Sequence, residues 1–199
     1  MKGKKYWYAL LLLVMCTLSA CKKEDDVVAE KKPTGITTVE QAESVARCLW
    51  QMVSRLNDII DTGYEYTNKT FTENYFGEFA VWGKKYNSGD CTVSELQYCW
   101  LKDVSYMGYT FSGALQYYEK NYHYNKNYKR ICEVWSGYDE NSDLEYGVAI
   151  KSESDNIEDF IYFSGKKDNY IDKKYNCDRT PAVFTIVNSQ GEAFEVLIR

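Results

Sequence analysis

The alternation along residues 143–151, DLEYGVAIK, limits what this chain can fold into more than any other feature. Leu144, Tyr146, Val148 and Ile150 fall on one side of a two-residue period, and Asp143, Glu145, Gly147 and Lys151 fall on or near the other. That period belongs to an extended chain with one face buried. Runs of the same β-branched and aromatic kind recur at 76–83 (FGEFAVWG), 93–101 (VSELQYCWL), 106–119 (YMGYTFSGALQYYE), 128–136 (YKRICEVWS), 157–163 (IEDFIYF), 183–187 (VFTIV) and 193–198 (AFEVLI). Polar turn clusters separate them: KKYNSGD, NYHYNKN, GYDENSD, SESDN and NSQG. Short strands joined by short turns pair with their sequence neighbours in antiparallel fashion. The chain is therefore predicted to be mainly β, an antiparallel β-meander in the form of a partly closed barrel or sandwich.

One segment keeps a different period. Thr37 with Glu40 three residues on matches a capping box, and Val39, Ala42, Val45, Ala46, Leu49, Met52, Val53, Leu56 and Ile59 then recur at three- and four-residue intervals. This predicts a single N-terminal α-helix over 38–62, laid on the apolar face of the sheet, with Gly63 as its C-cap. Cys48, at the edge of the apolar stripe, reads as a small buried hydrophobe. No Pro/Gly/Ser-rich linker divides residues 37–199, so they are expected to form one helix-plus-β domain with its own core.

The front of the chain is organised differently. Lys2, Lys4 and Lys5 precede an apolar run from Tyr6 to Thr17. That run has the length of an export-signal core and falls short of the ~20 residues of a spanning helix. Residues 18–21, LSAC, then resemble the lipobox of bacterial lipoproteins. The resemblance implies a signal peptide at 1–20, cut before Cys21, and a diacylglycerol on the Cys21 thiol with acylation of the new amino terminus. Several acyl chains give stable anchoring where one gives only marginal binding. Lys23-Glu24-Asp25 resembles the signal that sends lipoproteins of the Bacteroidota to the outer face of the outer membrane. The resemblance implies an outer-membrane, cell-surface location with the membrane engaged through the lipid. Residues 21–36 are polar and poor in apolar surface, and read as a flexible tether.

Charge and cysteine content follow from that reading. Removing residues 1–20 takes away Lys2, Lys4 and Lys5, so 24 basic residues become 21 against 29 acidic, a net charge of about −8. Such a surface repels phosphate backbones and argues against a nucleic-acid partner. Beyond Cys16 and Cys21, Cys48, Cys91, Cys99, Cys132 and Cys177 remain, an odd number in an oxidising compartment. The expected pairings are Cys99 with Cys132 and Cys91 with Cys177, although spacing does not decide connectivity.

No catalytic constellation is legible. His123 is the one histidine, and there is no CxxC, HExxH, glycine-rich phosphate loop or GxSxG elbow, so no metal, cofactor or enzymatic activity is expected. The stretch DENSD at 139–143 spaces its oxygens like calcium ligands, but Leu144 stands at the sixth position and Ile150 at the twelfth, where such a loop needs Gly and Glu. Tyrosine is the compositional outlier, with 19 residues. Tyr118, Tyr122, His123 and Tyr124 are the candidate binding surface, because large amphipathic rings suit contact with protein or sugar. Trp82, Trp100 and Trp135 are expected in the core. Residues 164–180, SGKKDNYIDKKYNCDRT, are the one long loop expected.

The layout is also similar to small lipoproteins of gut and oral Bacteroidota, through FGEFAVWG, LKDVSYMGYTFSGALQYY and the strand at 143–151. This resemblance implies fold rather than chemistry. The expected function is a lipid-anchored envelope lipoprotein that binds a protein or glycan. The alternatives are an assembly subunit of an outer-membrane complex, or a hydrolase or protease inhibitor.

Overall fold

A computed structural model describes residues 32–73, 76–123, 127–139, 144–172 and 181–199. The predicted helix is present as α1 (Val39–Ile59). Its start lies one residue later than the sequence pattern suggested. Thr38 is the N-cap, its hydroxyl accepting from the Gln41 N–H at 3.2 Å while Gln41 Oε1 accepts from the Thr38 N–H at 3.2 Å. Gln41 thus takes the part assigned to Glu40. At the other end Lys85 caps the helix, its ammonium donating to the carbonyls of Asn57 (2.7 Å) and Ile60 (3.0 Å). A cation there meets both the unpaired carbonyls and the negative end of the helix dipole. Gly63, read as the cap, instead sits three residues beyond Ile60 with φ +95° and donates its N–H to the Lys85 carbonyl.

Among the described residues eleven strands follow: β1 (Tyr64–Glu73), β2 (Gly77–Ser88), β3 (Cys91–Tyr106), β4 (Tyr109–His123), β5 (Asn127–Trp135), β6 (Gly137–Asp139), β7 (Leu144–Tyr146), β8 (Val148–Ser152), β9 (Ile157–Asp172), β10 (Ala182–Val187) and β11 (Ala193–Ile198). All their pairings are antiparallel, so the meander predicted from the turn clusters is present. The sheet runs β1-β2-β3-β4-β5-β9-β10-β11, and β8 pairs with both β4 and β9. β5 and β8 therefore lie end to end between β4 and β9, with the β6–β7 hairpin as an excursion between them. The helix α1, about 10 Å across, touches β3 and β4 as well as β10 and β11. The sheet must curl around it to bring those strands within reach.

The core is the concave face. Val45, Leu49, Met52 and Leu56 of α1 meet Phe79, Phe111, Leu115, Ile161 and Phe184 from the strands, all essentially without solvent exposure. Each such side chain contributes about 1.5–3 kcal/mol by leaving water. Trp50 packs edge-on against Phe184 with ring centroids 5.6 Å apart.

Four expectations need correction. The alternation at 143–151 is not one strand: it breaks at Gly147, which separates β7 from β8. A Cβ on Gly113 would stand 2.2 Å from the Gly147 carbonyl, and one on Gly147 would stand 2.3 Å from the Phe160 ring, so both backbones approach closely only as glycine. Residues 164–172 belong to β9 and are not loop, because they pair with β5 along its whole length. β1 was not anticipated, since YEYTNKTFTE is polar enough to pass for a connection. Finally, residues 34–36 do not belong to a tether. Thr34 bridges Ile157 in parallel, and Ile36 is fully buried, its N–H donating to Asp159 Oδ2 (2.8 Å) and its carbonyl accepting from Asn188 Nδ2 (2.8 Å).

Candidate binding surface

The outer face of the sheet carries the side chains of opposite parity to the core. There the rings do not hide. Trp82 on β2 is 46% exposed and Trp100 on β3 is 37% exposed, which corrects their expected place in the core. Their neighbours on the inward parity, Val81, Cys99 and Leu101, take the buried positions instead.

Tyr98 links the two indoles. It faces Trp82 across the β2–β3 ladder with ring centroids 5.9 Å apart, and lies 5.4 Å from Trp100 on its own strand. The register shift between Leu96 and Cys99 leaves Gln97 and Tyr98 opposite Gln116 of β4. A bulge of this kind re-aims a side chain by inserting a residue into one strand. From the β6–β7 hairpin, Tyr146 folds onto Tyr98 at 5.1 Å. Trp100 is flanked in register by the small Ala80 on β2 and Ala114 on β4, and beside Tyr98 it keeps 37% of its surface open.

The row continues across the sheet. Gln116 pairs with Trp135 of β5, Trp135 with Ser164 of β9, and Ser164 with Thr185 of β10. Trp135 is half-buried at the side of a groove of about 670 Å³, whose walls include Glu133, Lys166, Ser164, Val183 and Thr185. From β2 to β10 the row crosses six strands, roughly 24 Å at the usual interstrand spacing.

The charges along this row are matched in pairs. Lys84 meets Glu95 at 3.1 Å, Lys102 meets Glu78 at 3.2 Å, and Lys166 meets Glu133 at 2.5 Å. The ammonium of Lys84 is held above the usual lysine range by its hydrogen bond to Glu95.

The sequence pointed to a neighbouring part of the same face. Tyr118 is half-buried and pairs with Glu95 on one side and Glu133 on the other, one row from Gln116. Tyr122 is half-buried with the Lys120 ammonium 4.9 Å from its ring centroid. His123 ends β4, its side chain lies outside the described part, and Tyr124, Cys21 and Cys177 are outside the described residues altogether. Tyr118 is thus brought beside the tryptophan row, which sequence reasoning missed. The signal was present: in FGEFAVWG and VSELQYCWL the tryptophans sit on the parity opposite Phe79, Val81, Cys99 and Leu101.

The interior also holds a polar cluster. Glu119, 2% exposed, accepts from Asn57 Nδ2 at 3.1 Å and from the Tyr117 hydroxyl and Asn121 Nδ2. Burial pushes the Tyr117 hydroxyl well above its ordinary range and pulls the Lys85 ammonium below its own, the latter opposed by the Glu119 charge. Glu119, Asn57 and Tyr117 are buried, while Lys85 and Asn121 are half-buried at the cluster's edge, and together they serve packing and helix capping.

Cys99 and Cys132 form no bridge. Cys99 lies opposite Leu115 and Cys132 opposite Glu119, with β4 running between their strands. Two interstrand spacings, about 9.6 Å, exceed the reach of a disulfide. Cys91 is a buried thiol that donates to the Ser88 carbonyl at 2.8 Å. Burial pushes the Cys48 and Cys99 thiols up to about 12, where the thiolate is scarce near neutral pH. Cys48 is the small buried hydrophobe expected, with its thiol directed to the Tyr106 carbonyl at 3.1 Å.

Among the described residues no cluster of three or more His, Cys, Asp and Glu is placed to hold a metal, and no helix is long and apolar enough to cross a membrane. Comparison with known proteins finds no matching family model, no matching curated protein and no matching solved structure.

Proposed function

We propose that this chain is an envelope lipoprotein, anchored through lipid on Cys21 at the outer membrane and displayed at the cell surface, that acts by binding a protein or a glycan without catalysing a reaction. The observation that carries the reading is the exposure of Trp82 and Trp100 beside one another, linked by Tyr98, on the outer face of a sheet whose concave face buries its rings. A folded chain gains by covering indoles, and rings left open in a row serve contact with a partner. The lipid reading draws on LSAC and on the apolar run before it.

An assembly subunit would use an open sheet edge. β1 is such an edge, yet it carries a register shift between Tyr66 and Lys69, and the Lys69 ammonium lies over the rings of Tyr66 and Phe71. Both features work against adding a strand there.

Two substitutions test the proposal separately. Cys21→Ser in the full chain is expected to move the protein from the detergent phase to the aqueous phase; unchanged partitioning removes the anchor. Trp82→Ala with Trp100→Ala is expected to abolish capture of surface protein or polysaccharide with the melting temperature nearly unchanged. Equal capture by both proteins removes the outer face from the reading.

A further inference from the structure

We propose that the tryptophan row takes a neutral oligosaccharide, with sugar C–H faces stacked on Trp82, Tyr98 and Trp100 and hydroxyls bonded to Gln116 and to the Glu133–Lys166 pair. This deepens the binding reading above and rests on it.

Area argues first. The two indoles are 46% and 37% exposed, so on the order of 100 Å² of each faces solvent given the 150–250 Å² such rings bury in full. A stable protein partner needs about 800 Å² on each side, with an apolar centre and a polar rim. The open rings by themselves fall well short of that and suit a ligand a few sugar units long, with exposed Val183 and Leu197, paired across β10 and β11, at the far end of the face.

Charge argues next. Lys84–Glu95, Lys102–Glu78 and Lys166–Glu133 border the row, and each is an ion pair already made. Among the described residues an anionic ligand meets no unmatched cation along this line, and Glu195 of β11, exposed and in register with Thr185, repels it. A neutral polyol finds carboxylate acceptors and ammonium donors held in fixed positions by their own pairing, together with Gln116, Ser164 and Thr185. Charge-assisted hydrogen bonds of that kind are stronger than neutral ones.

Shape argues last. The contact groups lie in a line across the strands, from Trp82 through Gln116 to the groove beside Trp135. Ala80 and Ala114 flank Trp100 with small side chains, and the open 37% of its indole continues the line begun by Trp82. A linear ligand with repeating apolar faces and a hydroxyl fringe matches this arrangement.

The test is affinity electrophoresis of the full-length protein in non-ionic detergent, through native gels holding mannan, laminarin, xyloglucan or dextran, with polygalacturonate as the anionic comparison. The expected result is retardation by at least one of the four neutral polysaccharides and none by polygalacturonate. The W82A/W100A variant should bind roughly thirtyfold more weakly, and W82Y/W100Y, which keeps the rings, should recover most of the binding. Q116A should weaken retardation by a smaller factor. Failure of all four neutral polysaccharides to retard the protein, or retardation by polygalacturonate alone, overturns the proposal. So does retardation of W82A/W100A as strong as that of the native protein. Loss of a protein partner on W82A/W100A, with no polysaccharide retardation, overturns the sugar ligand and leaves the binding module standing. Matching melting curves for the native and tyrosine variants guard against a folding artefact.

Discussion

Two faces of one sheet, built from the same strands, treat aromatic residues in opposite ways. On the concave face Phe79, Phe111, Tyr117 and Phe184 are buried against α1 and each other. On the outer face Trp82 and Trp100 are open, with Tyr98 between them. Cys99 and Trp100 are chain neighbours, yet one is fully buried and the other is 37% exposed. Residue type does not separate these fates; parity along the strand does, because successive side chains point to opposite sides. The lesson is that ring content measures core and contact surface together until the buried face is known.

If that contrast is right, substitutions on the two faces should differ in kind. The largest effect is expected at Phe184, fully buried beneath Gly165 and against Trp50. Phe184→Ala should cost about 3–5 kcal/mol in urea unfolding, since it removes apolar burial and leaves a cavity. A cost below about 1 kcal/mol would mean that the concave face is not packed as described. Next comes Glu119→Ala, which leaves Asn57 Nδ2 and the Tyr117 hydroxyl buried without this acceptor. Its cost should be about 1–3 kcal/mol, read by the same measurement.

A graded effect should follow alkaline pH. Cys48 and Cys99 are raised from an ordinary 9.0 to about 12, and Tyr109 is raised from 10.0 to about 12 by burial and its Asp155 hydrogen bond. Between the ordinary and the raised values the folded state holds more protons than the unfolded state. Stability from these groups is therefore complete below pH 9 and is lost as pH rises from 9 towards 12. Lys85, lowered by burial, acts in the other direction and softens the fall. Melting temperatures across pH 8 to 11 check this, and a rise above pH 9 would contradict the burial of these groups. The smallest effect belongs to the outer face. Trp82→Ala and Trp100→Ala should each change stability by under about 1 kcal/mol, so that their effect on binding stands apart from folding.

Much of this was readable beforehand. The helix announced itself through a sustained three-and-four spacing, and the meander through turn clusters between alternating runs. Boundaries were less legible: the turn cluster KKYNSGD begins with Lys84 and Lys85, which are still in β2. Ile36 looked like an isolated apolar residue in a polar segment, because its partners Asp159 and Asn188 lie more than a hundred positions away. The contact surface was half legible. Tyrosine abundance drew attention to Tyr118 and Tyr122, which do lie on the outer face, but it hid the less numerous tryptophans beside them.

Local pattern was enough for the antiparallel meander and for α1, the single helix among the described residues, since period, caps and turns act over a few residues, but it passed over β1 and the far half of β9. It also gave Cys21 and the run before it their resemblance to a lipoprotein signal, on which the proposed anchor rests. Which face of the sheet α1 covers, whether Cys99 can meet Cys132, and that Trp82, Tyr98 and Trp100 stand together in the open depended on the folded chain. Those outcomes depend on register and curl, and both arise from contacts between residues far apart in sequence, where no local rule reaches.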